Sequence, residues 1–214
     1  MSRGAGSGPG GVEIAVIDYG RGNLRSVQSA LARVGARPIV TADPARLLEA
    51  PGAILPGVGS FRDAMSTLRE RGFVEAIREY ARQGRPILGI CLGLQLFFER
   101  ADEGGPGEGL GLLEGHVAEL SGCPRLPHIG WNLVRRLRPT PLLPAEAEPF
   151  YFVHSYGAVG VPDETLAGTT EYGATIAAVV QKGLVMGTQF HPERSGAAGL
   201  AVLGRFTEVV RQCS

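Results

Sequence analysis

The chain has 214 residues, a length that favours a single domain. A domain of this size buries roughly 70% of the surface that its unfolded chain would expose. Its 21 basic and 21 acidic residues give a formal net charge of zero, which argues against a nucleic-acid binder that depends on neutralising phosphates. With 44% hydrophobic and 20% charged residues, it has the composition of an ordinary folded protein, and its apolar runs are too short to span a membrane.

The N-terminus and the cysteines bear on where the protein works. Residues 1–11 are rich in Ser, Gly and Pro and lack the apolar segment of a secretory signal. We therefore expect a flexible extension over 1–11 and a single domain over 12–214. The three cysteines, Cys91, Cys123 and Cys213, are an odd number without metal-ligand spacing. They favour a reducing, cytoplasmic setting, and we expect no metal site.

The first half of the chain alternates between strand and helix signals. The predicted strands are short apolar runs at 12–17, 38–41, 53–55 and 86–90. The predicted helices are one capped by Asn23, a short one after Asp43-Pro44, one from about Phe61, and two more at 73–82 and 92–98. This alternation predicts an open, mostly parallel, doubly wound α/β sheet with helices on both faces.

After Glu99 strand signals dominate. Residues 104–111 are expected to form a loop. The predicted strands of this half are 115–120, 130–135, 150–153, 166–171, 176–181 and 185–190, several of them in hairpins, and a closing helix covers 198–211. We therefore expect antiparallel strands to extend the sheet in the C-terminal half.

The segment Gly89-Ile90-Cys91-Leu92-Gly93 lies between a predicted strand and a predicted helix. This is the nucleophile-elbow pattern with cysteine in place of serine, and its tight turn requires small residues two positions on either side. The turn would expose the thiol at the carboxyl edge of the sheet, and the following helix N-terminus would favour a thiolate. A buried structural cysteine in a glycine-containing turn fits the same five residues.

A thiol nucleophile needs a base, and the base needs an orienting group. Pro192 holds His191 extended, and residues two apart in an extended chain point to the same side. His191 and Glu193 can then face one site, where the imidazole takes the thiol proton and Glu193 fixes its tautomer. Without Cys91, the His-Pro-Glu tripeptide fits a surface turn equally well.

Two further elements could complete an acyl-transfer site. The N–H of Leu92, which follows the nucleophile, can point at a developing oxyanion, and the glycine-rich loop at 56–59 can supply a second N–H. That loop also fits a phosphate-binding loop or an ordinary turn. Gln95 lies one helical turn after Cys91, where its amide could bind an amide or carboxylate substrate, although an exposed helix glutamine has the same pattern.

Three of these segments, in this order, resemble the signatures of the triad-type class I glutamine amidotransferases. They are Pro-Gly-Val-Gly at 56–59, Gly-Ile-Cys-Leu-Gly-Leu-Gln at 89–95 and Gln-Phe-His-Pro-Glu-Arg-Ser at 189–195. The resemblance covers nearly the whole chain after the extension. Three more stretches, at 18–24, 127–132 and 151–156, are similar to the glutaminase subunits of imidazole glycerol phosphate synthases, which act in histidine biosynthesis.

The resemblance implies that Cys91 attacks the side-chain amide carbon of glutamine. It further implies that His191 protonates the leaving ammonia and that N–H groups of Val58 and Leu92 hold the oxyanion. Glu193 would complete the triad, and the glutamyl thioester would be hydrolysed without any cofactor. The positions that match the glutamine-binding residues of the family are Gly59, Gln95, His154, Ser155 and Tyr156.

The resemblance also implies a separate cyclase subunit, in this family a (β/α)₈ barrel, which forms a heterodimer with the glutaminase. A protected path would deliver ammonia to it, because free ammonia is mostly protonated at neutral pH. The positions that match the subunit contact are Asn23, Trp131, Tyr151 and Arg194. Trp131 and Tyr151 also fit core aromatics, and the family usually has lysine in place of Arg194, whose hydrogen-bond geometry differs.

Three alternatives remain open at this point. The chain could serve another synthase as its glutaminase, or it could be an inert interaction subunit in which Cys91 is a redox thiol. A cysteine peptidase is disfavoured by Gln95 and by the lack of any peptide-groove feature. We expect neither a nucleic-acid nor a membrane partner.

Overall fold

A computed structural model of the chain describes residues 11–214, so the extension expected over 1–11 lies outside the described residues except for Gly11. The helices of the described part are α1 (Leu24–Arg33), α2 (Pro44–Glu49), α3 (Phe61–Glu70), α4 (Phe73–Arg82), α5 (Leu92–Gln95) and α6 (Gly196–Cys213), with a 3₁₀-helix at Pro192–Arg194. The strands are β1 (Glu13–Ile17), β2 (Arg37–Thr41), β3 (Gly52–Gly57), β4 (Ile87–Cys91), β5 (Phe98–Ala101), β6 (Gly107–Glu108), β7 (Leu113–Glu119), β8 (His128–Arg136), β9 (Glu148–His154), β10 (Tyr156–Val159), β11 (Leu166–Glu171), β12 (Thr175–Lys182) and β13 (Val185–Thr188).

Side-chain caps set the starts of the first two helices. The side chain of Asn23 accepts a hydrogen bond from the N–H of Ser26 at 3.4 Å, and α1 begins at the next residue. The carboxylate of Asp43 accepts one from Ala45 at 2.9 Å, and Pro44 is the first residue of α2. Both caps satisfy N–H groups that have no partner inside the helix, so the predicted starts are confirmed.

The main sheet has nine strands in the order β2-β1-β3-β4-β13-β12-β11-β8-β9. The first five are parallel to one another, and β12, β11, β8 and β9 continue the sheet with antiparallel pairing. The predicted parallel sheet with an antiparallel extension is therefore confirmed. A second sheet, β10-β7-β5-β6, is not predicted by the sequence pattern.

The two faces of the sheet bury separate hydrophobic clusters. Along β1, Ile14 and Val16 pack into one cluster with residues of α1 and α6, whereas Ala15 and Ile17 pack into the other with residues of α2, α3 and α4. Because alternate side chains of a strand point to opposite faces, a strand that is apolar throughout needs helices on both sides. The doubly wound arrangement follows from this burial.

Three local predictions are wrong. The helix expected over 92–98 ends at Gln95, and Phe98 begins β5, which pairs with β6 and β7. The loop expected over 104–111 contains β6, and β10 forms where no strand is expected. The apolar run from Leu96 to Phe98 is fully buried and fits a helix or a strand equally well, so its pairing partners decide the outcome. Within residues 11–214, no helix has both the length and the apolar content needed to cross a membrane.

Candidate active site

Cys91 stands at a strained turn where β4 ends and α5 begins. Its φ of 54° makes it the one residue other than glycine with positive φ within residues 11–214. A Cβ on Gly93 would lie 1.8 Å from the carbonyl oxygen of Leu55, and one on Gly89 would lie 2.7 Å from the backbone of Gly93. Only glycine fits at both positions, and the strain at Cys91 is typical of a functional site.

The charge that faces the thiol comes from a histidine rather than from a helix. The helix after Cys91 has four residues instead of the seven expected over 92–98, so the partial charge at its N-terminus is correspondingly small. The expectation that a helix N-terminus favours the thiolate is therefore weakened. His191 lines the same cavity as Cys91 and interacts with its thiol.

His191 and Glu193 form a buried pair. The Nδ1 atom of His191 lies 2.9 Å from Oε1 of Glu193, and both side chains are at most 5% exposed. His191 is extended as expected, but Pro192 begins a 3₁₀-helix, so Glu193 reaches the imidazole through a tight turn rather than along an extended chain. The expected contact is present, and the reason given for it from the sequence is wrong.

The environment of His191 favours the charged imidazolium. Burial lowers its pKa, but interactions with Cys91 and Glu193 outweigh burial and raise the pKa from 6.5 to about 10. The Nε2 atom makes no hydrogen bond of normal geometry to any residue in 11–214. It is therefore the atom available to exchange a proton with the thiol or with a leaving group.

The loop that carries His191 is tied to β9. The N–H of His191 donates to the carbonyl of Tyr151 at 3.0 Å, and the Ser195 hydroxyl donates to the carbonyl of His191 at 2.7 Å. The same hydroxyl accepts from the N–H of Tyr151 at 3.0 Å. Ser195 is 2% exposed and is missed by the sequence reasoning as a residue that holds the base, although it lies within the quoted signature.

The loop at Val58 and Gly59 joins β3 to α3 beside Cys91, since β3 pairs with β4 in a register that places Gly57 opposite Cys91. No described residue accepts a hydrogen bond from the N–H of Val58 or Gly59. Val58 is 45% exposed, and Gly59 has a φ of 94°. The unpaired N–H of Val58, on an exposed loop next to the thiol, fits the predicted role of an oxyanion donor, and that of Gly59 is free to bind substrate.

A cavity of about 380 Å³ opens over the thiol. All the predicted oxyanion and glutamine-binding residues line it together with Cys91 and His191, whereas Glu193 lies behind the imidazole. The lining residues are Val58, Gly59, Cys91, Leu92, Gln95, Glu103, Pro127, Val153, His154, Ser155, Tyr156, His191 and Arg194. Glu103 and Arg194 give the cavity one acidic and one basic group.

Gln95 presents an acceptor to this cavity. Its Nε2 atom donates to the carbonyl of Tyr156 at 2.8 Å and to Oε1 of Gln189 at 3.1 Å, which uses both amide protons. Only its carbonyl oxygen remains to bind a ligand. Gln189 is fully buried, and its own Nε2 lies 3.7 Å from the Cys91 sulfur. The sequence pattern indicates no role for Gln189, although this residue stands two positions before His191.

Glu103 is the second cavity residue that the sequence does not reveal. Its carboxylate accepts a hydrogen bond from the N–H of Phe61 at 2.7 Å, which joins the β5–β6 connection to the start of α3. The partners are 42 positions apart, and Glu103 falls in a segment expected to be a loop. No local sequence signal marks it.

Three of the four expected partner-contact residues form one exposed cluster. The rings of Trp131 and Tyr151 meet edge to face at 6.1 Å, and the guanidinium of Arg194 lies 4.4 Å from the centre of the Tyr151 ring. Trp131 is 55% exposed, so it is not a core aromatic. Asn23 acts as the cap of α1, and no hydrogen bond or ring contact joins it to this cluster within the described residues.

Comparison with known proteins gives a consistent family. Residues 15–208 match the family model described as "Glutamine amidotransferase class-I". The "Imidazole glycerol phosphate synthase subunit HisH" of Moorella thermoacetica is 53% identical over 201 residues, which cover 92% of this chain and 95% of that one. The subunit of the same name from Symbiobacterium thermophilum is 49% identical over 199 residues, with 92% and 94% covered.

Solved structures agree at the level of the fold. A "Crystal structure of glutamine amidotransferase" aligns with a TM-score of 0.75 at 19% identity and covers 92% of this chain and 98% of that chain. "Structure of PurLQS from Thermotoga maritima" aligns with a TM-score of 0.74 at 22% identity, with 94% and 98% covered. At these identities the alignments support the shared architecture alone.

Proposed function

Because the chain belongs to the class I glutamine amidotransferase family, and within it to the HisH subunits of imidazole glycerol phosphate synthase, we propose that Cys91, His191 and Glu193 hydrolyse the side-chain amide of glutamine. The observation that carries this proposal is the strained cysteine at the floor of a cavity that also holds a buried histidine–carboxylate pair. We assign the whole amidotransferase domain to residues 12–214.

The cavity suits an amino acid with a primary amide side chain. Free glutamine carries an α-ammonium and an α-carboxylate, and the cavity has an acidic group, Glu103, and a basic group, Arg194. The free acceptor of Gln95 suits an N–H of the substrate. We infer that Gly59, His154, Ser155 and Tyr156 form the remaining walls that orient the substrate.

The reaction proceeds in two halves. The Cys91 thiolate attacks the amide carbon, and the carbonyl oxygen becomes an oxyanion that accepts from the N–H groups of Val58 and Leu92. The imidazolium of His191 gives its Nε2 proton to the amide nitrogen. The C–N bond then breaks, ammonia leaves, and a glutamyl thioester remains on Cys91. Water then attacks the thioester while Nε2 of His191 takes a proton from it, and the C–S bond breaks to release glutamate and restore the Cys91 thiolate.

The ammonia needs a second protein that consumes it. We infer a cyclase subunit with a (β/α)₈ barrel that forms a heterodimer with this chain and uses the ammonia to make imidazole glycerol phosphate. The exposed cluster of Trp131, Tyr151 and Arg194 lies beside the cavity mouth and supports a partner there, because exposed aromatic and arginine side chains are enriched at interfaces. Three unpaired cysteines support a reducing, cytoplasmic setting.

Glutamate release from glutamine tests the proposal. We expect the cyclase subunit and its nucleotide ligand to raise the rate of glutamate release by this chain. In their presence, we expect Cys91→Ala to lower that rate by about 10⁴-fold or more. Cys123→Ala is the matched control, because Cys123 is partly exposed and lies outside the cavity lining. Unchanged activity in Cys91→Ala would overturn the mechanism.

A glutamine analogue with an electrophilic side chain separates the enzyme from an inert subunit. We expect one adduct on Cys91, found by mass spectrometry of the complex with the cyclase subunit. The absence of this adduct in the assembled complex would indicate that the chain is a catalytically inert interaction subunit. Co-purification with a synthetase other than the cyclase would place the same chemistry in another pathway.

A further inference from the structure

A buried pair of histidines lies behind one wall of the glutamine cavity. His128 is fully buried, and its Nδ1 atom lies 3.1 Å from Nε2 of His154. On its far side, Nε2 of His128 lies 2.9 Å from Oδ1 of Asn132. On the near side, Nδ1 of His154 lies 2.8 Å from the carbonyl oxygen of Tyr156.

The hydrogen-bond partners at the two ends of this row of contacts fix where the protons of the two imidazoles must be. A carbonyl oxygen only accepts, so Nδ1 of His154 donates to Tyr156. The amide of Asn132 donates from Nδ2 to the carbonyl of Glu171 at 2.9 Å, so its Oδ1 faces His128, whose Nε2 must also donate. The contact between the two imidazoles needs a third proton. Two neutral imidazoles carry only two, so the fully bonded pair has a charge of +1.

The surroundings of the pair act on this positive charge in two opposite directions. His128 stacks on Tyr172 at 4.1 Å and on Phe152 at 4.8 Å, and aromatic faces attract a cation. Burial acts in the opposite direction: it lowers the pKa of His128 and, with the charges of His128 and His191 adding to it, lowers the pKa of His154 to about 4.

The charged groups around the pair do not compensate for this lowering. Besides the pair itself, His191 places a further positive charge near His154, and the Glu171 carboxylate accepts from the hydroxyl of Thr175 instead. Neither imidazole has an acidic ion-pair partner within residues 11–214. The pair therefore gives up its third proton at neutral pH unless a further negative charge lies beside it.

The cavity is where such a charge can come from. His154 lines it, and the Tyr156 carbonyl that accepts from His154 also accepts from Gln95, which faces the ligand. His154 and Gln95 therefore share one acceptor, so the position of the Tyr156 carbonyl bears on both. A ligand with a carboxylate near 154–156 would supply the missing negative charge.

We propose that His128 is a positioning residue for glutamine binding: it holds His154 against the Tyr156 carbonyl and shares a third proton with it when the carboxylate of glutamine occupies the cavity. This inference rests on the proposed function. No proton passes to the substrate, and the reaction still uses Cys91, His191 and Glu193. The expected signature is a change in KM with kcat retained.

Two substitutions separate hydrogen bonding from packing. His128→Phe keeps an aromatic ring between Tyr172 and Phe152 but leaves Nε2 of His154 without a donor. His128→Asn loses the ring but places an amide N–H near the position of Nδ1. In the complex with the cyclase subunit, we expect His128→Phe to raise the KM for glutamine about tenfold. We expect His128→Asn to stay within about threefold of the parent KM. If the ring served only for packing, the order of the two variants would be reversed, which would overturn the proposal.

Proton uptake provides a second measurement that does not depend on how the His128 variants fold. We would bind glutamine to the Cys91→Ala chain in its complex, which prevents turnover, and record the ¹⁵N shifts of the histidine rings at neutral pH. We expect the signals of His128 and His154 to move toward imidazolium values when glutamine is added. Two rings that stay neutral in the bound state would overturn the shared proton.

The outcome also distinguishes this inference from the proposed function. If the parent complex releases no glutamate from glutamine, the proposed function fails. If it releases glutamate but His128→Phe keeps the parent KM, only the positioning role of His128 fails.

Discussion

The two sides of the glutamine cavity are held in different ways. On one side, Cys91 and His191 are at most 7% exposed, and the Glu193 side chain behind them is 2% exposed. On the other, Val58 is 45% exposed and belongs to a short loop whose N–H groups have no partner in the described part of the chain. The core therefore fixes the groups that exchange protons and the oxyanion donor Leu92, which is 3% exposed, whereas the oxyanion donor Val58 lies on a surface loop. A partner that binds outside can act on the second side and leave the first unchanged.

The largest effect is expected on the buried side. Glu193→Gln keeps the shape of the side chain but removes the charge that stabilises the imidazolium of His191. We expect kcat for glutamate release to fall about 10³–10⁴-fold, with KM changed little. Glu208→Gln, in an exposed pair with Arg211, is the matched control and should retain full activity. A loss confined to KM would show that Glu193 acts on binding and contradict its role in the triad.

The same substitution tests the pKa of His191 through stability. Interactions with Cys91 and Glu193 raise this pKa to about 10 against the opposing effect of burial. Because the folded value lies above the unfolded value of 6.5, the stabilisation is complete below about pH 6.5 and is lost as the pH rises through about 10. We expect the difference in unfolding free energy between the parent chain and Glu193→Gln to shrink over this range in urea titrations. A difference in unfolding free energy that grew with pH would contradict a raised pKa of His191 in the folded state.

The exposed side should respond to a change in its backbone. Gly59 has a φ of 94°, and a Cβ there would lie 3.2 Å from Nη1 of Arg21. Gly59→Ala should therefore shift the loop and lower kcat about 10²-fold, the usual effect of a lost oxyanion donor.

A second glycine with positive φ gives the control for this strain. Gly84 has a φ of 68°, and nothing lies within 4 Å of a Cβ built on it. Gly84→Ala should cost similar stability, because both alanines adopt a left-handed conformation, but it should keep its activity. Equal losses of activity in Gly59→Ala and Gly84→Ala would attribute the effect to stability and remove the evidence for an oxyanion loop.

The sequence predicts best what depends on neighbouring residues. The turn at Cys91 follows in part from the close approach of Gly89 to the backbone of Gly93, and the starts of α1 and α2 follow from their caps. The residues that it misses act over long distances. Glu103 meets a partner 42 positions away, and His128 meets His154 across 26 positions. Such contacts depend on strand order, which no local pattern contains.

A smaller effect is expected where the partner would bind. Trp131→Ala removes an exposed ring that contacts Tyr151, so we expect the fold to keep its stability while the dissociation constant of the complex with the cyclase subunit rises at least about tenfold. Leu137→Ala is the control, since Leu137 is 56% exposed and follows the end of the same strand, β8. Calorimetric titration measures both. Equal weakening by the two variants would show that exposed apolar area, and not the aromatic cluster, sets the affinity.

The smallest effect concerns Arg21, which links the exposed loop to α3. Its Nη2 atom lies 3.4 Å from Asp63, and its other terminal nitrogen packs over Gly59. The two side chains are 33% and 60% exposed, so water and salt screen the pair. We expect Arg21→Ala to change the partner-free rate of glutamate release by about two- to fivefold at low salt and to lose this effect near 1 M salt, where the Debye length is about 3 Å. Arg37→Ala breaks an ion pair with Glu13 that lies away from the cavity and should leave the rate unchanged. An effect of Arg21→Ala that persists in high salt would show that the guanidinium supports the loop by packing rather than by charge.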